Sequence, residues 1–217
     1  MQTSPDSSAR PARELLIVAG HLALDFANTV DDPNGPAHFD HLGTYPLLLG
    51  WSVRYGLLRP EAAAQLARLA HRHPRDAGAA LASAHTLRVA ISDTFGAVAA
   101  GASAEPPFRD LQPFAVAALE HAELATSADG FELSWPDSED LTSMLWPVAH
   151  AALTLLTGSE LGRVKRCVAC PWLFLDHSKN SSRRWCTMDD CGKSEKMRRY
   201  VARRAERRQG ATPRTPR

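Results

Sequence analysis

No stretch of this chain approaches the roughly 18 to 20 consecutive apolar residues of a membrane-spanning helix, so a helical membrane protein is excluded and a soluble one is expected. The motifs of common enzyme chemistry are missing too. There is no GxxxxGKS/T to cradle phosphate, no GxGxxG for a dinucleotide, no HExxH for a catalytic metal and no GxSxG for a nucleophilic serine. Nine histidines are scattered without metal-site spacing. Binding is therefore expected in place of catalysis, with no catalytic residue to name. The opening run MQTSPDSSARPAR lacks the apolar segment of a signal peptide, and a reducing cytoplasm is the expected compartment. Net charge is only +1, which by itself points to no partner. Cysteine is scarce, with four in 217 residues.

All four cysteines fall within the 25 residues 167–191. Cys167 and Cys170 are separated by two residues, fifteen follow, and Cys186 and Cys191 are separated by four. Two such pairs can place four thiolates on one Zn2+ in the closed tetrahedron of a structural site. Disulfides would need an oxidising compartment, and iron-sulfur ligands usually come at more compressed spacings. One structural zinc is the expected cofactor.

Charge is divided as unevenly as cysteine. From residue 163 to the end there are 16 Lys/Arg against 5 Asp/Glu, leaving 9 against 19 for residues 1–162. An acidic body with a basic end is the pattern of a chain that holds a polyanion through that end.

The rest reads as mainly α with a small β-hairpin. We expect a disordered tail at 1–13, a helical domain over 14–160, a four-cysteine finger of short strands and one helix over 161–208, and a second tail at 209–217. A short strand or extended lead-in at 15–18 precedes a helix at about 22–29. Thr44 and Pro46 start a second helix, Pro60 a third, and a longer one spans about 75–100 with Leu87, Ile91, Phe95 and Val98 at helical spacing. Another helix is expected at about 108–120. HAELAT and GFELSW alternate around a turn and read as a hairpin. Asp137, Glu139 and Asp140 are expected in the first turn of a helix that Pro147 kinks and Gly158 ends. Within the finger, residues 172–175 are expected as a strand whose alternate side chains fill a small core. Stacking of those aromatics on bases is the less favoured reading. Trp51, Trp135 and Trp146 are better explained as core than as a ligand cage.

The finger resembles the CGNR zinc finger, a C-terminal module of bacterial proteins regarded as transcription regulators. The residues that carry the resemblance are Arg163, Val164 and Arg166, then Trp172 with LFLD after it, Ser178-Lys179-Asn180, the SRRWC run ending at Cys186, and Cys191-Gly192. The tetrad that names the family is Cys-Gly-Asn-Arg, whereas residues 191–194 here are Cys-Gly-Lys-Ser. GHLALDFANT resembles the start of the ABATE domain, the usual partner of that finger, through Leu24, Asp25, Phe26, Asn28 and Thr29. The resemblance implies a zinc-dependent, DNA-binding transcription regulator whose helical domain senses or assembles. An RNA-binding or ribosome-associated protein is the alternative, and a small-molecule enzyme stapled by the finger a third.

Candidate nucleic-acid contacts are Lys179, Arg183, Arg184, Lys193, Lys196, Arg199, Arg203 and Arg207, with Ser194, Met197, Val201 and Ala205 expected to pack that last helix on the zinc core. His21, Asp25 and Asn28 are candidates for a small-molecule pocket, against the more favoured reading that such side chains bond nearby backbone. A small-molecule effector and a homodimer remain open as partners.

Overall fold

The computed structural model describes residues 15–31, 39–127 and 130–209, with side chains to residue 204. Apart from Gln209, the expected tails lie outside the described residues.

Extended residues 15–18 lead into Gly20, whose φ of 77° is open to glycine and turns the chain into helix α1, Leu22–Ala27. His21 caps α1, its Nδ1 accepting the Ala23 N–H at 3.3 Å. Helix α2, Tyr45–Arg54, is capped by Thr44 and carries Pro46 in its first turn, as expected. Helices α3, Pro60–Arg72, and α4, Pro74–Ala99, each begin on a proline whose missing N–H has no helical partner to lose. Helix α5 runs Glu105–Glu120. Strands β1, Glu123–Ser127, and β2, Gly130–Ser134, form the expected antiparallel hairpin, with Leu124 opposite Leu133 and Thr126 opposite Phe131.

Helix α6 is Leu145–Thr157, and here the expectation needs correcting. Residues 137–144 are not helical. The Asp140 carboxylate accepts from the N–H and hydroxyl of Thr142, so it builds a local turn instead of complementing a helix dipole. Pro147 then falls in the first turn of α6, where it helps to start the helix and has no ladder to kink.

Helix α4 is the central column. Ala84, Leu87, Ile91 and Phe95 recur along one side at spacings of three and four and are fully buried. Arg88 on the same helix is buried and grips Asp40 with two hydrogen bonds of 2.6 and 2.7 Å. Burial alone would raise the Asp40 carboxyl, but the guanidinium outweighs it and holds it below the ordinary carboxylate range.

After a 3-10 turn at Leu161–Arg163 comes the finger. Its strands β3, Val164–Arg166, and β4, Leu173–Leu175, pair antiparallel, with Val164 opposite Leu175 and Arg166 opposite Leu173. A π-helical turn at Met188–Gly192 leads into helix α7, Lys193–Gln209. Strand β4 departs from the expected alternation, since Leu173, Phe174 and Leu175 are all buried. Besides pairing with β3 it lies against α1 and α4, and none of its three side chains reaches water. Leu173–Leu175, Cys167 and Cys186 therefore belong to one hydrophobic core with Phe26, Ile91 and Phe95.

Candidate metal centre and nucleic-acid interface

The β3–β4 turn brings the first cysteine pair together. The Cys167 N–H donates to the Trp172 carbonyl at 2.8 Å, and the Ala169 N–H points at Cys167 Sγ at 3.5 Å. The second pair comes from the far side of the finger. The Val168 N–H donates to the Arg184 carbonyl at 3.1 Å and draws the approach to Cys186 against the turn, while the π-helical turn delivers Cys191. Thr187 starts that turn, accepting the Asp190 N–H at 3.2 Å.

The four sulfurs all lie within 4.8 Å of one another, with Cys170 to Cys186 at 3.6 Å and Cys186 to Cys191 at 3.5 Å. None is in a disulfide. Four thiolates each at about 2.3 Å from one Zn2+ would be about 3.8 Å apart, so the cluster has the size zinc requires. Crowding also splits the acidities. Hydrogen bonds from Cys170 and then Cys186 pull the Cys167 thiol far below its ordinary range, and Cys167 in turn pushes Cys170 and Cys186 up. Burial raises Cys191. Anions that exclude one another are relieved by a shared divalent cation, so Cys167, Cys170, Cys186 and Cys191 fit one structural zinc with no open position. Bound there, the ion supplies a cross-link between the two halves of the finger.

A second node was not singled out from the sequence. Asp176, at the end of the LFLD run, is fully buried, and its carboxylate accepts from Lys165 Nζ at 2.6 Å, the Ser178 N–H at 2.9 Å and the Arg183 N–H at 3.0 Å. Burial would raise this carboxyl, but Lys165 and Ser178 outweigh it and hold it well below the carboxylate range. The result is a closed loop at 178–182, with Ser181 in the left-handed region at φ 46° and Lys179 exposed. A charged residue directly after the apolar run at 172–175 was the available signal.

Arg183, expected as a phosphate contact, is half-buried. Its guanidinium stacks over the Phe174 ring at 4.4 Å and donates to the carbonyls of Trp185, Val18 and Cys186. Arg184 is the outward member of the pair, exposed and lying over the Trp185 ring at 5.5 Å.

In α7, Lys193 pairs with Asp189 at 2.7 Å, and Glu195 is buried between Arg198 at 2.5 Å and Arg199 at 2.9 Å. Ser194, the other departure from the family tetrad, is exposed. Every side chain from 196 to 204 is exposed, including Lys196 and Arg203. Met197 and Val201 do not pack on the zinc core as expected, being 63% and 58% exposed. The helix leaves the body after its first turn, so no core surface faces them. The side chains of Ala205 and Arg207 lie outside the described residues.

The remaining candidates, His21, Asp25 and Asn28, meet protein. Asp25 is buried, its Oδ1 accepting the N–H groups of Val18 and Ala19, both at 2.9 Å, and its Oδ2 the Tyr55 hydroxyl at 3.2 Å. Burial raises its carboxyl and these donors offset only part of that. Asn28 is buried and paired with Leu173 of β4. Burial lowers the His21 imidazole, and the charge of Glu160 offsets part of that. Among the described residues, hollows lie elsewhere, along α3, α4 and the 135–142 segment, one of them about 420 Å³. Trp51 and Trp146 are buried, stacked on Tyr55 and His121, and Trp135 donates to the Ala118 carbonyl at 2.8 Å.

A helical body sharing its core with a closed four-thiolate centre defines a zinc-finger protein. Residues 20–159 match the ABATE family, described as "putative stress-induced transcription regulator", and residues 163–204 match the CGNR zinc finger. The chain belongs to the ABATE family and carries a CGNR finger at its C-terminal side. No curated protein matches the chain. Among the described residues, no helix is long and apolar enough to cross a membrane.

Proposed function

We propose that this protein is a zinc-dependent, DNA-binding transcription regulator of the cytoplasm. The observation that carries the reading is α7, with eight Lys/Arg against two Glu, standing clear of the body from residue 196 onwards with every described side chain exposed. Surface helices usually mix acids with bases, and one so one-sided in charge attracts a polyanion. Lys196, Arg203 and Arg207 supply phosphate contacts, with Lys193 and Arg199 released from their acidic partners as phosphate approaches. Lys179 and Arg184 extend the contact from the 178–182 loop and its neighbour. Zinc fixes where α7 leaves the body, and the helical domain senses or assembles without catalysing a reaction. Its family's description as a regulator supports that division of labour.

Genomic footprinting of the tagged protein, with filter binding of purified protein to duplex DNA and to an RNA hairpin, tests this. The reading predicts discrete footprints and tighter binding to duplex DNA. Preference for the hairpin, with no footprint, would replace it with an RNA-binding role.

A further inference from the structure

Nothing in an electrostatic account explains why α7 exposes Met197, Tyr200 and Val201 in the middle of its basic residues. Resting on the DNA-binding reading above, we infer that α7 enters the major groove of duplex DNA and reads base edges through Met197, Tyr200, Val201 and Arg204. The exposure of all nine side chains from 196 to 204 means that no side of this stretch is used by the body. A helix held only by its first turn and polar on most sides is marginal in water, so it is suited to a partner that surrounds it. At about 100° per residue, Tyr200, Arg204, Met197 and Val201 fall in one arc of about 100°. Lys196 and Arg203 lie beyond one edge of that arc, and Arg198 beyond the other. This is the cross-section a groove demands, with cations towards both phosphate walls and a mixed apolar strip towards the floor.

The strip also has readable chemistry. Met197 and Val201 offer apolar contact to thymine methyls, and the Arg204 guanidinium, which among the described residues meets only the Tyr200 hydroxyl at 3.5 Å, can turn to guanine O6 and N7. An A-form RNA major groove is too narrow and deep for such a helix, so the same strip disfavours duplex RNA.

The test begins with zinc-loaded full-length protein and a pool of duplexes carrying a randomised 20-base-pair centre. The parent is expected to enrich a thymine-containing sequence. Replacing thymine by uracil there removes only the methyl and should weaken binding about threefold per contacted base. Met197→Ala with Val201→Ala, at exposed positions, should abolish the uracil effect, and Arg204→Ala should relax choice at one guanine by fivefold or more. If the parent binds the pool and enriches nothing, or the double variant keeps the sequence choice and uracil effect of the parent, the groove-reading inference is overturned while phosphate binding stands. If the parent binds no duplex at all, the DNA-binding reading falls and this inference with it.

Discussion

The side-chain amide of Asn28 pairs with both backbone polar groups of Leu173, donating to its carbonyl at 2.8 Å and accepting its N–H at 2.9 Å. The residue that caps the C-terminus of α1 thus acts as an extra strand partner for β4, across 145 residues of sequence. Trp172 Nε1 donates to the Val30 carbonyl at 2.8 Å and the Leu175 N–H to the Ala19 carbonyl at 2.8 Å, so finger and body are joined along the whole of β4.

Asn28→Ala should therefore cost roughly 2 to 4 kcal/mol, because it strands two buried backbone groups at about 1 to 3 kcal/mol each. Urea unfolding of the zinc-loaded protein checks this. A loss below 0.5 kcal/mol would mean that the pairing does not join finger to body.

Asp25 gives a prediction with a sign in pH. Asp25→Ala orphans the N–H groups of Val18 and Ala19 and should cost about 2 to 4 kcal/mol at any pH near neutrality. Asp25→Asn keeps an acceptor for both and loses a buried charge. Because the folded-state carboxyl is raised above its unfolded value, its favourable contribution is fully present below about pH 4 and is lost as pH rises through the raised value. The Asn variant should gain on the parent from about pH 4 upwards and then level off. Both proteins keep the four cysteines, so the difference in melting temperature isolates the carboxyl.

Removing zinc should loosen more than the finger. Since Cys167, Cys186 and β4 sit in the same core as Phe26 and Phe95, chelation or Cys186→Ser with Cys191→Ser should lower the melting temperature of the whole chain in one transition. Calorimetry with metal analysis reads this. An unchanged body transition after the metal is gone would show that the two parts fold independently.

The helices, the hairpin and the metal ligands were legible in the sequence because each depends on local pattern: apolar spacing in α4, alternation in β1 and β2, and Cys-x2-Cys. Tertiary context decided what was not. Asp25 lies in α1 and Asn28 caps its end, and spacing cannot say that they meet Val18, Ala19 and Leu173. Arg183 and Arg184 are identical in sequence terms, and only the closed loop below Asp176 turns one inward. Met197 and Val201 read as a core-facing stripe because periodicity marks a face without marking what lies opposite.

The two arginines should separate cleanly. Arg183→Ala is expected to lower stability, since it leaves the carbonyls of Val18, Trp185 and Cys186 without their donor, whereas Arg184→Ala should leave the melting temperature within about a degree and weaken duplex binding. Melting curves and filter binding on the same samples give both readouts. Reversal of this order would contradict the orientation of the pair.

The central claim, that α7 binds DNA through its phosphates, is tested most directly by the salt dependence of duplex binding for the parent and for Lys196→Ala, Arg203→Ala, Arg207→Ala combined. With about six phosphates neutralised, raising salt from 50 to 200 mM should weaken the parent roughly a thousandfold, and the triple variant should bind more weakly with a log-log slope shallower by about three. A triple variant that retains its zinc and matches the parent in affinity and slope would contradict the claim.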